Sequence, residues 1–228
     1  MMLLPETLII PAEPRAFALR PAMCALLVID LQRDFLEPDG FGAALGNDVS
    51  HLRRVIEPNR RLIAAWRAWA LTVVHTREGH LPDLSDLSET KRDRAPTGRR
   101  IGDIGPMGRI LVRGEPGHAI IPELAPLSSE TVIDKSGKGA FWRTSLETEL
   151  RQRGIRQLVV TGVTTEVCVH STVREANDRG FECIVPADAT ASYIPEFHAS
   201  ALRMISAQGG IFGWVCTSND LLQAFTSP

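Results

Sequence analysis

The feature that most constrains the fold of this chain is a series of short, unbroken apolar runs. They are ALLVID at 25–30, LTVVHT at 71–76, ETVIDK at 130–135, RQLVVTG at 156–162 and FECIVPADA at 181–189. A strand with one wet face alternates apolar and polar residues, whereas a strand covered by helices on both faces has no reason to alternate. Between the runs, apolar residues recur at helical spacing: Val55, Leu62, Ile63 and Trp66 in one segment, Phe197, Ala201, Leu202 and Ile205 in another. Strands alternating with helices predict an α/β fold, a three-layer, doubly wound parallel sheet of Rossmann-like design. IFGWVCTS is a last strand candidate and SNDLLQAF a closing helix. With 228 residues and no internal repeat, 1–228 reads as a single domain. Residues 1–22 read as an N-terminal arm that packs on the body or on a neighbouring subunit.

Several function classes are disfavoured by composition. A formal charge of -2 gives no general attraction to nucleic acid or to an anionic membrane. No run approaches the length needed to cross a bilayer, and MMLLPETLIIPAEP is too short and too interrupted by proline for a signal peptide. Cys24, Cys168, Cys183 and Cys216 are widely spaced with no CxxC pair, so neither a zinc ribbon nor a disulfide framework is expected. A reducing cytoplasm is the expected location. Residues 77–108 form a long polar stretch rich in turn formers, read as a solvated lid.

The most informative stretch is TGVTTEVCVHSTVREANDRG, 161–180, which places Cys168 where a strand gives way to a helix. Open α/β sheets bind ligands at that edge. The helix dipole and free amides there favour thiolate over thiol, so Cys168 fits a nucleophile. By position alone it fits a small apolar core residue equally well. Asp30 and Lys135 close two other apolar runs, and in a parallel sheet the carboxyl ends of strands share one edge. The three types make a coherent set. A cysteine attacks a carbonyl carbon, an aspartate takes the thiol proton and returns it to a leaving amine, and a lysine orients the aspartate and favours thiolate.

LLVIDLQRDF around Asp30, VIDKSGKGAFWRTSLETELRQRGI around Lys135 and LVVTGVTTEVCVHSTVREANDRGFECIVPADAT around Cys168 resemble the isochorismatase-like cysteine hydrolases. The resemblance implies a catalytic triad of Asp30, Lys135 and Cys168. It also implies a cis peptide before Thr164 and an oxyanion hole made by the backbone amides of Thr164 and Cys168. The family places its lysine at the strand end, which selects Lys135 over Lys138. HTREGHLPDLSDL, GRILVRGEPGHAIIPEL, DKSGKGAF, REANDRGFEC and AQGGIFGWV further resemble the biuret-hydrolase branch. That likeness implies Phe35 as an apolar wall and Lys138 and Gln208 as substrate-binding residues. Each has a plain alternative: core packing for Phe35, solvent exposure for Lys138, helix capping for Gln208.

The expected function is hydrolysis of a C–N bond in a small ureide through a thioester. Biuret comes first, with triuret, an N-carbamoyl amino acid or nicotinamide as alternatives. A catalytically silent binding domain is the reading from a different class. No cofactor is expected, and no metal, because the histidines are scattered and Asp48 with His51 lacks matching partners downstream. Trp142 stands where a smaller residue is expected and puts pocket size in question. The resemblance further implies a homo-oligomer, commonly a tetramer.

Overall fold

The computed structural model describes residues 5–96 and 98–226; Met1 to Leu4 of the arm and Thr97 of the long loop lie outside the described residues. An N-terminal hairpin of β1 (Leu8–Ile10) and β2 (Phe17–Leu19) precedes the main sheet. The sheet strands are β3 (Cys24–Ile29), β4 (Thr72–Glu78), β7 (Thr131–Lys135), β8 (Gln157–Val163), β9 (Glu182–Pro186), β10 (Thr190–Ala191) and β11 (Trp214–Cys216). The order is β11-β9-β8-β3-β4-β7, with β10 pairing the end of β8, and each pairing is parallel. A small ribbon of β5 (Ile104–Gly105) and β6 (Gly108–Arg109) lies in the long connection after β4.

β3 shows why its sequence is unbroken. Cys24, Leu26 and Val28 join the core on one face of the sheet, with Trp66 and Phe225. Ala25, Leu27 and Ile29 join the core on the other, with Val160 and Val173. Successive side chains point to opposite faces, and both faces are dry, so both sets are apolar. The helix Ile56–Ala68 carries Pro58 in its first turn, where proline's missing N–H costs nothing. In the helix Pro195–Gly210, Ala201 and Ile205 are buried as expected, whereas Phe197 is 51% exposed.

Two findings bear on the site. The hairpin packs on its own chain: Leu8, Ile10, Phe17 and Leu19 are buried in the core. β4 runs two residues further than the apolar pattern indicates, and Arg77 and Glu78 pair in register with Asp134 and Lys135 of β7. The pattern stops at Thr76 because these residues are charged; pairing continues because Arg77 meets Asp134 across the strands at 2.7 Å. Among the described residues no helix is long and apolar enough to cross a membrane.

Candidate active site

Four adjacent strands, β8, β3, β4 and β7, each deliver one reactive group to the carboxyl edge of the sheet. β8 leads into Cys168, β3 into Asp30, and β4 and β7 end on Glu78 and Lys135. All four side chains are buried, at 4% exposure or less.

Asp30 follows the last residue of β3 with a φ of 49°. Such a left-handed turn is tolerated by aspartate better than by most residues. The Asp30 amide donates to the carbonyl and hydroxyl oxygens of Thr76, both at 3.2 Å. The Thr76 hydroxyl in turn donates to Asp30 Oδ1 at 2.6 Å. Lys135 Nζ lies 2.7 Å from Asp30 Oδ2 and donates to the carbonyls of Gly137 and Lys138, each at 3.0 Å. Burial works against the Lys135 charge, but Asp30, Cys168 and Glu78 outweigh it and hold the ammonium above its ordinary range.

Cys168 sits in a single π-helical turn, Thr165–Val169, that leads into the α-helix His170–Asp178. The amides of Val167 and Val169 both donate to the Thr164 carbonyl, at 3.1 and 3.2 Å. The widened turn is the kind that recurs at functional sites. The Val163–Thr164 peptide is cis, as the resemblance implied. The Cys168 thiol donates to Glu78 Oε2 at 3.3 Å. Burial is the largest influence on the thiol and raises it well above its ordinary value, although Lys135 pulls the other way. The sulfur thus hydrogen-bonds a carboxylate, and burial opposes the thiolate that a helix terminus and a lysine favour.

Glu78 is the residue that sequence reasoning misses, because it falls in the polar stretch 77–108. Its signal was available: a glutamate two residues beyond a strand-like run, level with the lysine that ends the next strand. Gln32 fixes its backbone, accepting from the Glu78 amide at 2.6 Å and donating to the Glu78 carbonyl at 2.9 Å. Lys138 Nζ donates to Glu78 Oε1 at 2.6 Å, and Lys135 and Lys91 each lie 3.7 Å from the carboxylate. Burial pushes Glu78 up, but the three lysines outweigh it and hold its pKa at about 2.

The structure places the substrate-binding candidates unevenly. Lys138 is at the cluster. Phe35 is half-buried on the short helix that follows Asp30, with its carbonyl accepting from the Tyr193 hydroxyl at 2.8 Å. Gln208 is not brought to the cluster within this chain. It is exposed, with a φ of 52°, where the helix Pro195–Gly210 breaks on its way back to the amino ends of the strands. Its neighbours Gly209 and Ile211 accept from Arg15 and from Asn177, the latter near the far end of the helix that begins beside Cys168. Sequence reading missed this because AQGG carries no sign of which sheet edge it reaches.

Donor atoms of Asp30, Glu78 and Cys168 lie within 4.8 Å of one another, close enough to share one ion. The Lys135 ammonium already stands against both carboxylates, so a divalent cation would meet a fixed positive charge. Beside the cluster opens a cavity of about 380 Å³, lined among others by Lys91, Arg94, Lys138, Trp142 and Arg143. Trp142 lies against Gly137, where an added Cβ would meet its ring at 2.8 Å.

The family model "Isochorismatase domain" matches residues 24–220. A ureidoacrylate amidohydrolase RutB of Serratia proteamaculans is 32% identical over 97% of this chain and 90% of its own length. The protein of the same name from Methylobacterium radiotolerans is 34% identical over 91% of this chain and 81% of its own. Among solved structures, a cysteine hydrolase from Pseudomonas syringae pv. phaseolicola superposes with a TM-score of 0.78, at 28% identity, covering 91% of this chain and 94% of that one.

Proposed function

This chain belongs to the isochorismatase family, and we propose that it is a cysteine amidohydrolase that cleaves a C–N bond of a small ureide through a thioester. One observation carries the reading: a buried thiol, two carboxylates and a buried lysine converge from four adjacent strands. Cys168 attacks the carbonyl carbon while its proton passes to a neighbouring carboxylate. The amides of Thr164 and Cys168 receive the developing oxyanion, whose stabilisation by prepositioned donors is commonly the largest catalytic contribution. The C–N bond breaks, the nitrogen leaves with that proton, and water then releases the acid from the sulfur.

Biuret is the first substrate to test, with triuret next; biuret would give ammonia and a carboxylated urea. A ureide presents both N–H donors and C=O acceptors. Glu78 supplies an acceptor and Lys138 a donor side by side, so neither polarity is buried unpaired. Phe35 is proposed as the apolar wall. A second reading is a ureide bearing a carboxylate, as the names of the RutB relatives suggest. It is favoured by the cavity rim, where Arg94 and Arg143 have no ion-pair partner among the described residues. The same reading includes a homo-oligomer, tetrameric by resemblance, which light scattering on the purified protein tests.

Ammonia release should be measured over biuret, triuret, ureidoacrylate, N-carbamoyl amino acids and nicotinamide. Activity on a ureide that vanishes in Cys168→Ala is the expected result, and undiminished release by that variant would overturn the reading. Because Lys135 already supplies the positive charge beside the carboxylates, dialysis against a chelator should leave the rate unchanged. A rate that falls and returns only with added metal would count against the site as described.

A further inference from the structure

We propose that Glu78 is a catalytic residue: it holds the Cys168 thiol proton in the resting enzyme and delivers it to the leaving nitrogen. This rests on the cysteine-hydrolase reading above and goes beyond its triad. The first ground is contact. The thiol donates to Glu78 Oε2 at 3.3 Å, whereas Asp30 Oδ1 takes the Thr76 hydroxyl and Oδ2 faces Lys135 at 2.7 Å. Among the described residues, Asp30 Oδ1 is thus already engaged by a hydroxyl, and Oδ2 makes an ion pair but no hydrogen bond, so Glu78 is the carboxylate that the thiol proton reaches at rest.

The second ground is how Glu78 is held. Its backbone is held on both sides by Gln32, itself fully buried, and its carboxylate is held beside the sulfur by Lys138 at 2.6 Å and by Lys135 and Lys91, each at 3.7 Å. The third is its coupling to the cavity. Lys138 makes the shortest contact to the Glu78 carboxylate, at 2.6 Å, yet its side chain remains 43% exposed beside the substrate cavity. A lysine this close keeps the carboxylate anionic and a poor base. When a substrate carbonyl takes the Lys138 hydrogen bond, Glu78 loses that support and becomes more basic as the electrophile reaches Cys168.

The steps balance. The Cys168 S–H bond breaks as the S–C bond forms, Glu78 Oε2 takes the proton, and the carbonyl oxygen carries the negative charge. The tetrahedral intermediate re-forms its C=O as the C–N bond breaks, and the nitrogen takes the proton from Glu78. Water then adds to the thioester, giving one proton to Glu78, which returns it to the departing sulfur.

The test is Glu78→Gln, read by two measurements that should move in opposite directions. The Glu78 charge helps keep Cys168 protonated, so its removal, with Lys135 and Lys138 still present, should favour thiolate. Iodoacetamide should therefore alkylate Cys168 of the free variant faster than wild type near neutral pH. Turnover should nevertheless fall by about 10²–10⁴-fold, the usual effect of losing a general acid–base group. A purely structural role would not raise alkylation while lowering kcat. Glu78→Asp, checked as folded by circular dichroism, should recover part of kcat, and equal kcat in the two variants would overturn the proton role. Wild-type kcat in Glu78→Gln alongside an inactive Cys168→Ala would overturn this proposal and leave the cysteine hydrolase standing. An active Cys168→Ala would overturn both.

Discussion

Lys135 Nζ and Asp30 Oδ2 lie 2.7 Å apart with both side chains wholly buried. The pair comes from strands that are not neighbours: β4 lies between β3 and β7. Lys135 reaches across that strand and, at the same time, stands 3.7 Å from Glu78 at its end. The ammonium is thus the positive centre of a cluster of two carboxylates and a thiol.

Removing either partner takes from a buried charge its nearest counter-ion. Lys135→Met and Asp30→Asn should each destabilise the fold by about 3–5 kcal/mol and abolish turnover. The double variant should be less destabilised than the sum of the two, because the orphaned charge is gone. Urea unfolding of the three variants measures the coupling, and strict additivity would show that the pair is not a stabilising unit.

Gly162 sets the approach of β8 to β3. It lies opposite Ile29, has a φ of 105°, and an added Cβ would meet the Ile29 carbonyl at 2.0 Å. Gly162→Ala should therefore cost about 3 kcal/mol or more and displace Asp30, the residue after Ile29. Thermal melting together with ammonia release checks this. A stable variant with wild-type activity would show that the two strands separate without consequence.

The four cysteines should separate by reactivity. Burial pushes Cys24 up to about 12 and raises Cys183 and Cys216 further, and these thiols serve only as core. Burial raises Cys168 too, but Lys135 and Lys138 oppose that rise, and a cavity adjoins its cluster. Under native conditions iodoacetamide should label Cys168 first, with all four labelled only after unfolding. Peptide mass spectrometry reads the order, and earlier labelling of Cys24 or Cys183 would contradict it.

Stability should fall toward acid in two stages. Burial lowers His118 from 6.5 to about 4, so between those values the unfolded chain binds more protons and stability declines as pH falls. Burial pushes Glu130 up, but the Arg67 hydrogen bond and its other partners outweigh it and hold it at about 2 against 4.5. Its stabilisation is complete above 4.5 and is lost as pH falls toward 2, as is that of Glu78. Urea midpoints from pH 7 to 3 should show the decline, and Glu130→Gln should flatten its lower part. An unchanged slope would remove Glu130 from the account.

Local patterns in the chain specify the layered α/β fold, the strand ends that carry Asp30 and Lys135, and the strand-to-helix turn that carries Cys168. These were legible because dry strands read as unbroken apolar runs and helices as a 3.6-residue rhythm, both local properties. Three features were decided only by the tertiary structure. Glu78 belongs to the site because charged residues at the end of β4 stay paired with β7, where an apolar pattern no longer marks the strand. Gln208 lies away from the site because its helix crosses the sheet before breaking, and a motif carries no record of which edge it reaches. The Cys168 thiol is pushed above its ordinary range because burial outweighs the charge of Lys135, and burial is a property of the packed chain that no run of residues contains.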